Sequence, residues 1–267
     1  MQGKRNYNLI LGAAITAVML SLILSGLIRT PHDPNKINAG NSLSAPSAQY
    51  LLGTDNFGRD ILSRVIIGAG STLYVAAATV AIGALAGMLI GGLTGYFGGW
   101  VDELFMRAGD IILAFPSILL ALVLISLIGP GRNNIIIALG IMFIPSFARV
   151  VRGEYVRCRE LDYVHSARII GTGNMRIMFV HILPNAAPVI LRAIAIGFNN
   201  AVLAEASMSY LGLGVQPPDA SLGRMLSESQ SYLFSAPWYA LSAGIAIVLL
   251  ILGFSLLGEG IGARDNA

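Results

Sequence analysis

Four stretches of the chain, 8–28, 71–97, 111–130 and 237–257, hold no charged side chain at all. A helix needs about 20 apolar residues to cross the hydrocarbon of a bilayer, so each is long enough to span one. Two further apolar stretches are shorter or interrupted. The stretch 135–148 is bounded by Arg132 and Arg149, and 185–213 carries Arg192 and Glu205 inside it. The pattern predicts an all-α polytopic membrane protein with about six transmembrane helices.

Between the spans lie three polar stretches, 29–70, 152–184 and 214–236, none large enough to fold alone. The chain therefore divides into an N-terminal anchor span with its extracytoplasmic connector, 1–70, and a transmembrane core, 71–267, elaborated by the loop 152–184. Pro, Asn and Ser between Thr30 and Ser47 predict an extended connector, and 56–67 reads as a helix lying along the surface. The first span follows Lys4 and Arg5 as a secretory signal does. Its length and the absence of a small-x-small cleavage pattern around Ile23, Leu24 and Ser25 favour an uncleaved anchor.

Composition agrees with lipid as solvent: 55% of the 267 residues are hydrophobic, 12% are charged, and the mean hydropathy is +0.72. The formal charge of +3 is what basic cytoplasmic loops contribute and does not argue for nucleic acid. With the N-terminus inside, ten basic residues fall on the cytoplasmic side and six outside, with Arg192 near the inner end of its span. The arginines from Arg149 to Arg176 carry most of that bias, which predicts both termini in the cytoplasm. Cys158 is the lone cysteine and cannot form an internal disulfide.

Gly83, Gly87, Gly91 and Gly95 recur every fourth residue in the second span and form a bare ridge on one helix face. Two readings stand: close packing of backbones, within this subunit or against a partner, and a surface that permits sliding as a pathway opens. Glu205 is an acid well inside a span, where an ionised carboxylate has to face protein or water. At about 1.5 Å per residue from Asn185 it falls near the outer mouth. A structural hydrogen bond and a substrate or gate contact are both open to it, and Glu205 and Met208 are the candidate pathway residues.

The inner loop begins with a short amphipathic stretch, Asp162, Tyr163, Val164, His165, Ser166, Ala167, Arg168, Ile169, Ile170, and stops at Gly171. Tyr163, Ala167 and Ile170 fall on one helical face, and Gly171 can take the left-handed conformation that ends a helix. Such a helix suits docking into a soluble partner, and equally suits lying on lipid headgroups.

These residues carry a resemblance. Asp162, Tyr163, Val164, Ala167, Arg168 and Gly171, followed by His181, Ile182, Leu183, Pro184 and Asn185, resemble the EAA loop of bacterial ABC importer permeases. The form is that of the peptide and nickel branch, D-Y-V-x-A-A-R-x-x-G then H-I-L-P-N. Leu52, Gly53, Thr54, Asp55, Gly58, Arg59, Asp60, Ser63 and Arg64 are similar to that branch's L-G-T-D-x-x-G-R-D-x-x-S-R signature. Ser209 to Val215 with Pro217 and Pro218 are similar to its S-F-L-G-L-G-V-x-x-P segment, so the resemblance covers nearly the whole chain. Leu222 departs from it, standing where that branch commonly has Trp. The resemblance implies the second, C-type permease of a dipeptide, oligopeptide or nickel importer. It also implies a homologous permease partner, two ATP-binding subunits and an extracytoplasmic substrate-binding protein. Asp162, Tyr163, Val164, Ser166, Ala167, Arg168 and Gly171 would couple to the ATPase, and the membrane would be the bacterial inner membrane.

A phosphate-cradling loop needs G-x-x-x-x-G-K-S/T, and the only lysines are Lys4 and Lys36, neither preceded by such glycines. The chain is expected to bind no cofactor and to hydrolyse nothing, with ATP and Mg used by partner subunits. Gly171, Gly173, Gly258, Gly260 and Gly262 read as helix ends. Asp102 with Glu103 and Glu160 with Asp162 read as loop charges without a catalytic partner, and His165 and His181 as packing residues rather than metal ligands. A self-contained secondary transporter or channel would need more ionisable residues along its spans than Arg192 and Glu205 supply. A membrane enzyme would need a nucleophile with a base, or a ligand cluster, inside the spans.

Overall fold

The structure is a computed structural model in which residues 7–264 are described. Lys4 and Arg5, counted above among the inner basic residues, lie outside the described residues. Ten helices follow in order: α1 (Tyr7–Ile28), α2 (Ile61–Phe97), α3 (Gly99–Leu113), α4 (Ser117–Ile128), α5 (Arg132–Arg159), α6 (Asp162–Ile169), α7 (Asn174–Arg176), α8 (Leu183–Tyr210), α9 (Leu222–Ser229) and α10 (Pro237–Arg264). Five helical segments are long and apolar enough to cross a membrane: α1, α2, α5, the run Asn174–Tyr210 and α10. The pair α3 and α4 passes the same test only when taken together, and it is bent by 90°. The span predicted at 111–130 is therefore broken. Its break at Ala114, Phe115 and Pro116 is set by the proline, which has no N–H to continue the helix.

The 37 residues of α2 make a rod about 55 Å long, well beyond the hydrocarbon thickness. Asp60 caps it by accepting from Ser63 N at 3.0 Å, and Gly98, at φ +66, ends it in a conformation only glycine takes freely. The helix expected along the surface at 56–67 is thus the outer end of this span, because the cap falls at Asp60 and nothing breaks the helix after it.

α2 and α5 form the most extensive helix pair. A Cβ on Gly83 would come within 2.6 Å of Phe143 Cβ, on Gly87 within 2.5 Å of Phe147 Cβ, and on Gly95 within 2.7 Å of the Arg152 carbonyl. On Gly91 it would strike the Ala148 carbonyl. The glycine ridge therefore lies against α5 of the same subunit, backbone to backbone. Gly258 and Gly260 do not end a helix, as the sequence suggested, but lie inside α10. A Cβ on Gly260 would meet Leu9 Cα at 2.7 Å, so α1 packs closely there.

The connector between α1 and α2 is held by buried charge. Asp55 accepts from the backbone N–H groups of Phe57 at 2.8 Å and Arg59 at 2.9 Å, and from Arg59 Nε at 2.6 Å. Arg59 Nη2 also donates to Glu228 at 3.2 Å, and Tyr239 and Arg224 donate to the same carboxylate at 3.0 and 3.1 Å. Arg64, 1% exposed, lies 3.6 Å from Asp55 and 3.8 Å from Glu228. Connector, α2, α9 and α10 are locked into one outer cap.

Candidate functional site: the membrane cavity and the α6 end

A cavity of about 580 Å³ opens between the α3–α4 bend, α5 and α8. Its wall is Phe115, Phe143, Phe147, Met142 and aliphatic side chains, interrupted by Ser117, Ser146, Asn200 and Ser207. No charged side chain lines it. Hydroxyls and one amide in an apolar wall can hydrogen-bond a passing polar molecule without holding an ion. Polar residues inside otherwise apolar spans are the signal that could have pointed to Ser146 and Asn200 from the sequence.

Glu205 and Met208 line no part of this cavity, and both are 0% exposed. Glu205 Oε1 accepts from Ser209 Oγ at 2.6 Å, and Ser209 Oγ accepts from Val215 N at 3.2 Å. The Thr72 and Ser221 hydroxyls face the same carboxyl. Oε2 has no hydrogen bond at ordinary distance. The acid joins α8 to α2 and to the loop that leads into α9, and Met208 packs with Val75, Ile125, Ile135 and Leu139.

Beyond the C-terminal end of α5 the stretch 162–169 is helical, α6, and Gly171 follows at φ +79. The buried face is Val164 and Ala167, which join a cluster with Tyr96, Val151, Tyr155, Cys158, Ile177, Met178 and Ile182. This corrects the sequence-derived face. Tyr163 is partly buried against that cluster, but Ile170 sits past the last turn and is 81% exposed, with Ile169 at 86%. Asp162, His165, Ser166 and Arg168 are also exposed. Burial pushes the Tyr163 phenol up to about 12, so the ring stays neutral.

Three contacts that the sequence did not suggest gather at the C-terminal end of α2. The Arg168 guanidinium lies over the Tyr96 ring, 5.4 Å from its centroid. Tyr96 OH donates to Asn174 Oδ1 at 2.8 Å, and Arg159 Nη1 donates to the Gly95 carbonyl at 3.1 Å. Nearby, Arg152 Nη2 donates to Asp102 at 2.6 Å, and Arg149 pairs with Asp110. Asp102 and Glu103 are thus helical residues of α3, and each has a basic partner, Glu103 pairing with Arg107. Glu160 pairs with Arg159. Among the described residues no group of three or more His, Cys, Asp or Glu side chains is placed to hold a metal ion.

The described residues form a helical membrane domain with a neutral cavity between its spans and a short amphipathic helix at one end. The chain belongs to the family of binding-protein-dependent transport system inner membrane components, whose profile matches residues 83–264. It is 40% identical to the dipeptide transport system permease protein DppC of Alkalihalophilus pseudofirmus, over 97% of this chain and 86% of that one. To the glutathione transport system permease protein GsiD of Pectobacterium atrosepticum it is 39% identical, over 86% of this chain and 74% of that one. Among solved structures it resembles the inward-facing MetNI methionine ABC transporter, with a TM-score of 0.60 at 20% identity, over 75% of this chain and 95% of that one. That likeness shows the fold. The protein is a multi-pass permease subunit of an ABC importer, a transport subunit rather than an enzyme.

Proposed function

We propose that this subunit forms half of a passage for small peptides and that α6 is its seat on an ATP-binding subunit. The observation that carries the second part is the division of α6. One side, Val164 and Ala167, is packed into the subunit, while Ile169 and Ile170 stand 86% and 81% exposed beside polar residues. Two large apolar side chains at the tip of an otherwise polar loop favour burial in a partner, where each contributes about 1.5–3 kcal/mol of transfer free energy. Because Ala167 faces inward, docking falls to Ser166, Ile169 and Ile170 rather than to Ala167.

The cavity supports the first part. A second, homologous permease would close the open side of the 580 Å³ space and complete the passage. Hydroxyls, an amide and aromatic rings suit a peptide, whose amides need hydrogen bonds and whose side chains vary. The relatives are named for dipeptides and for glutathione, both peptides, which favours peptides over nickel or a metal chelate. Two ATP-binding subunits, using ATP and Mg, would sit at the cytoplasmic face, and an extracytoplasmic binding protein would deliver cargo. Both termini and α6 then lie in the cytoplasm of a cell bounded by this inner membrane. Closure of the ATPases on ATP would draw on α6 and turn the passage outward, and hydrolysis would return it inward.

The test is reconstitution of the chain with its permease partner, ATP-binding subunits and binding protein in proteoliposomes. ATP-dependent uptake of a labelled dipeptide, without uptake of nickel, is the expected result. Nickel uptake without dipeptide uptake would reverse the cargo assignment. Ile169→Glu with Ile170→Glu should leave membrane insertion intact and abolish copurification of the ATPase, and full copurification would refute the docking role of α6.

A further inference from the structure

We propose that the stack of Arg168 on Tyr96 is the contact through which movement of α6 reaches α2, and with α2 and α5 moving as one body, the cavity wall. The inference deepens the reading of α6 as the ATPase seat and rests on it.

Arg168 is the charged residue in the last turn of α6, and sequence spacing alone points it at a soluble partner. Its guanidinium instead lies over a ring of its own subunit, at 5.4 Å from the centroid, within the range of a cation–π contact. Tyr96 is 7% exposed, so its ring is fixed by packing, and its hydroxyl is fixed by the 2.8 Å bond to Asn174 at the start of α7. The ring occupies the end of α2, where the free carbonyls carry the negative end of the helix dipole. Arg159 Nη1, 3.1 Å from the Gly95 carbonyl, meets that end from α5. Two cations from two different elements therefore grip one helix terminus.

From that terminus inward, no compliant layer intervenes. Gly95, Gly91, Gly87 and Gly83 bring α2 onto the α5 backbone at each successive turn, at positions where even a Cβ would collide. The residues they meet higher up, Phe143 and Phe147, are themselves cavity wall. Tyr155 OH donates to the Met178 carbonyl at 3.2 Å, which ties α5 to the π-helical turn Ile177–Ile182 as well. A displacement of α6 meets α5 directly through Val164 and Ala167, and it reaches α2 and then the wall through Arg168, Tyr96, the glycine contacts, Phe143 and Phe147. Arg168 and Tyr96 are positioning residues on this route, since neither lines the cavity.

The test uses the assembled complex with Ser146→Cys as a reporter on the cavity wall. Maleimide labelling is timed with and without a non-hydrolysable ATP analogue. Cys158 is 0% exposed, and the chain without the reporter measures its background. In the reporter complex nucleotide should change the labelling rate. Arg168→Met and Tyr96→Leu should each cut that change by about fivefold, the scale of a cation–π contact at a partly exposed site. Copurification and ATP hydrolysis should be retained. Arg168→Lys should restore most of the response, and the double variant should be no worse than either single one. Tyr96→Phe keeps the ring without its hydroxyl and guards against a packing artefact, and it too should retain the response. Undiminished nucleotide response in Arg168→Met overturns the relay, as does loss of the ATPase in that variant, which would make Arg168 a docking contact. If the ATPase fails to copurify with the unsubstituted chain, the docking reading falls and takes the relay with it. Full copurification with an unaltered response removes the relay alone.

Discussion

Arg59 and Glu228, 169 residues apart in sequence, meet through a 3.2 Å contact between Nη2 and Oε2 that fastens the outer connector to α9. Glu228 also accepts from Arg224 and Tyr239 and faces Arg64, so its removal takes a partner from three buried or half-buried arginines and a buried phenol. Breaking such a group from one side costs about 3–5 kcal/mol. Glu228→Ala should lower the thermal midpoint of the detergent-solubilised subunit by several degrees and open the 29–60 segment to protease. Glu228→Gln should fall between the two. Thermal unfolding and limited proteolysis of the three proteins measure this directly.

Gly87 and Gly153 are both helical glycines, and they should respond in opposite ways. A Cβ at Gly153 meets nothing within 4 Å, whereas at Gly87 it meets Phe147 Cβ and the α5 backbone. Gly153→Ala should be neutral or gain up to about 1 kcal/mol from helix propensity. Gly87→Leu should separate α2 from α5 and sharply reduce recovery of folded protein. Recovery of monodisperse protein by fluorescence-detected size exclusion distinguishes them.

Glu205 is expected to matter as a hydrogen-bonded plug and not as a cargo ligand. Glu205→Gln keeps an acceptor for the 2.6 Å bond from Ser209 and should assemble and transport close to the parent. Glu205→Leu leaves the Ser209 hydroxyl without its acceptor and should cost about 1–3 kcal/mol of stability. Uptake and thermal unfolding of both variants check the order, and a transport defect in Glu205→Gln at unchanged stability would return the acid to the passage.

Asp102 and Arg152 join α3 to α5 by a two-pronged pair. Both side chains are partly exposed, so screening limits the pair to about 0.2–1 kcal/mol. Asp102→Ala and Arg152→Ala should each destabilise slightly, and the double variant should be less destabilised than their sum by about that amount. A double-mutant cycle in detergent stability reads the difference.

Much of this was legible in the chain because lipid imposes a simple rule. Apolar length fixes where a helix crosses, so α1 and α10 fall where uncharged runs placed them, and α5 and α8 where the shorter and the interrupted apolar stretches did. The break after Leu113 escaped that rule because hydropathy is continuous through it, and only Pro116 marks the turn. The outer end of α2 escaped it for the opposite reason: Arg64 is charged, yet Asp55 and Glu228 neutralise it inside the fold. On α6, spacing located the helix and its glycine stop but misjudged the buried face, since Ile170 lies beyond the last turn. The cavity was not legible at all. Its wall draws single residues from several helices, and which of them converge is decided by packing between spans, not by the order within any one.

The unbroken α2 rod runs against α5 for most of its length: Arg132 Nη2 donates to Ser71 at 3.2 Å, Val75 packs with Ile135 and Leu139, and the glycines from Gly83 to Gly95 bring the two backbones together. A seam that long has no hinge point. The charged cap around Asp60 and the ring of Tyr96 are therefore opposite ends of one strut, about 54 Å apart. Whatever displaces one end displaces the other.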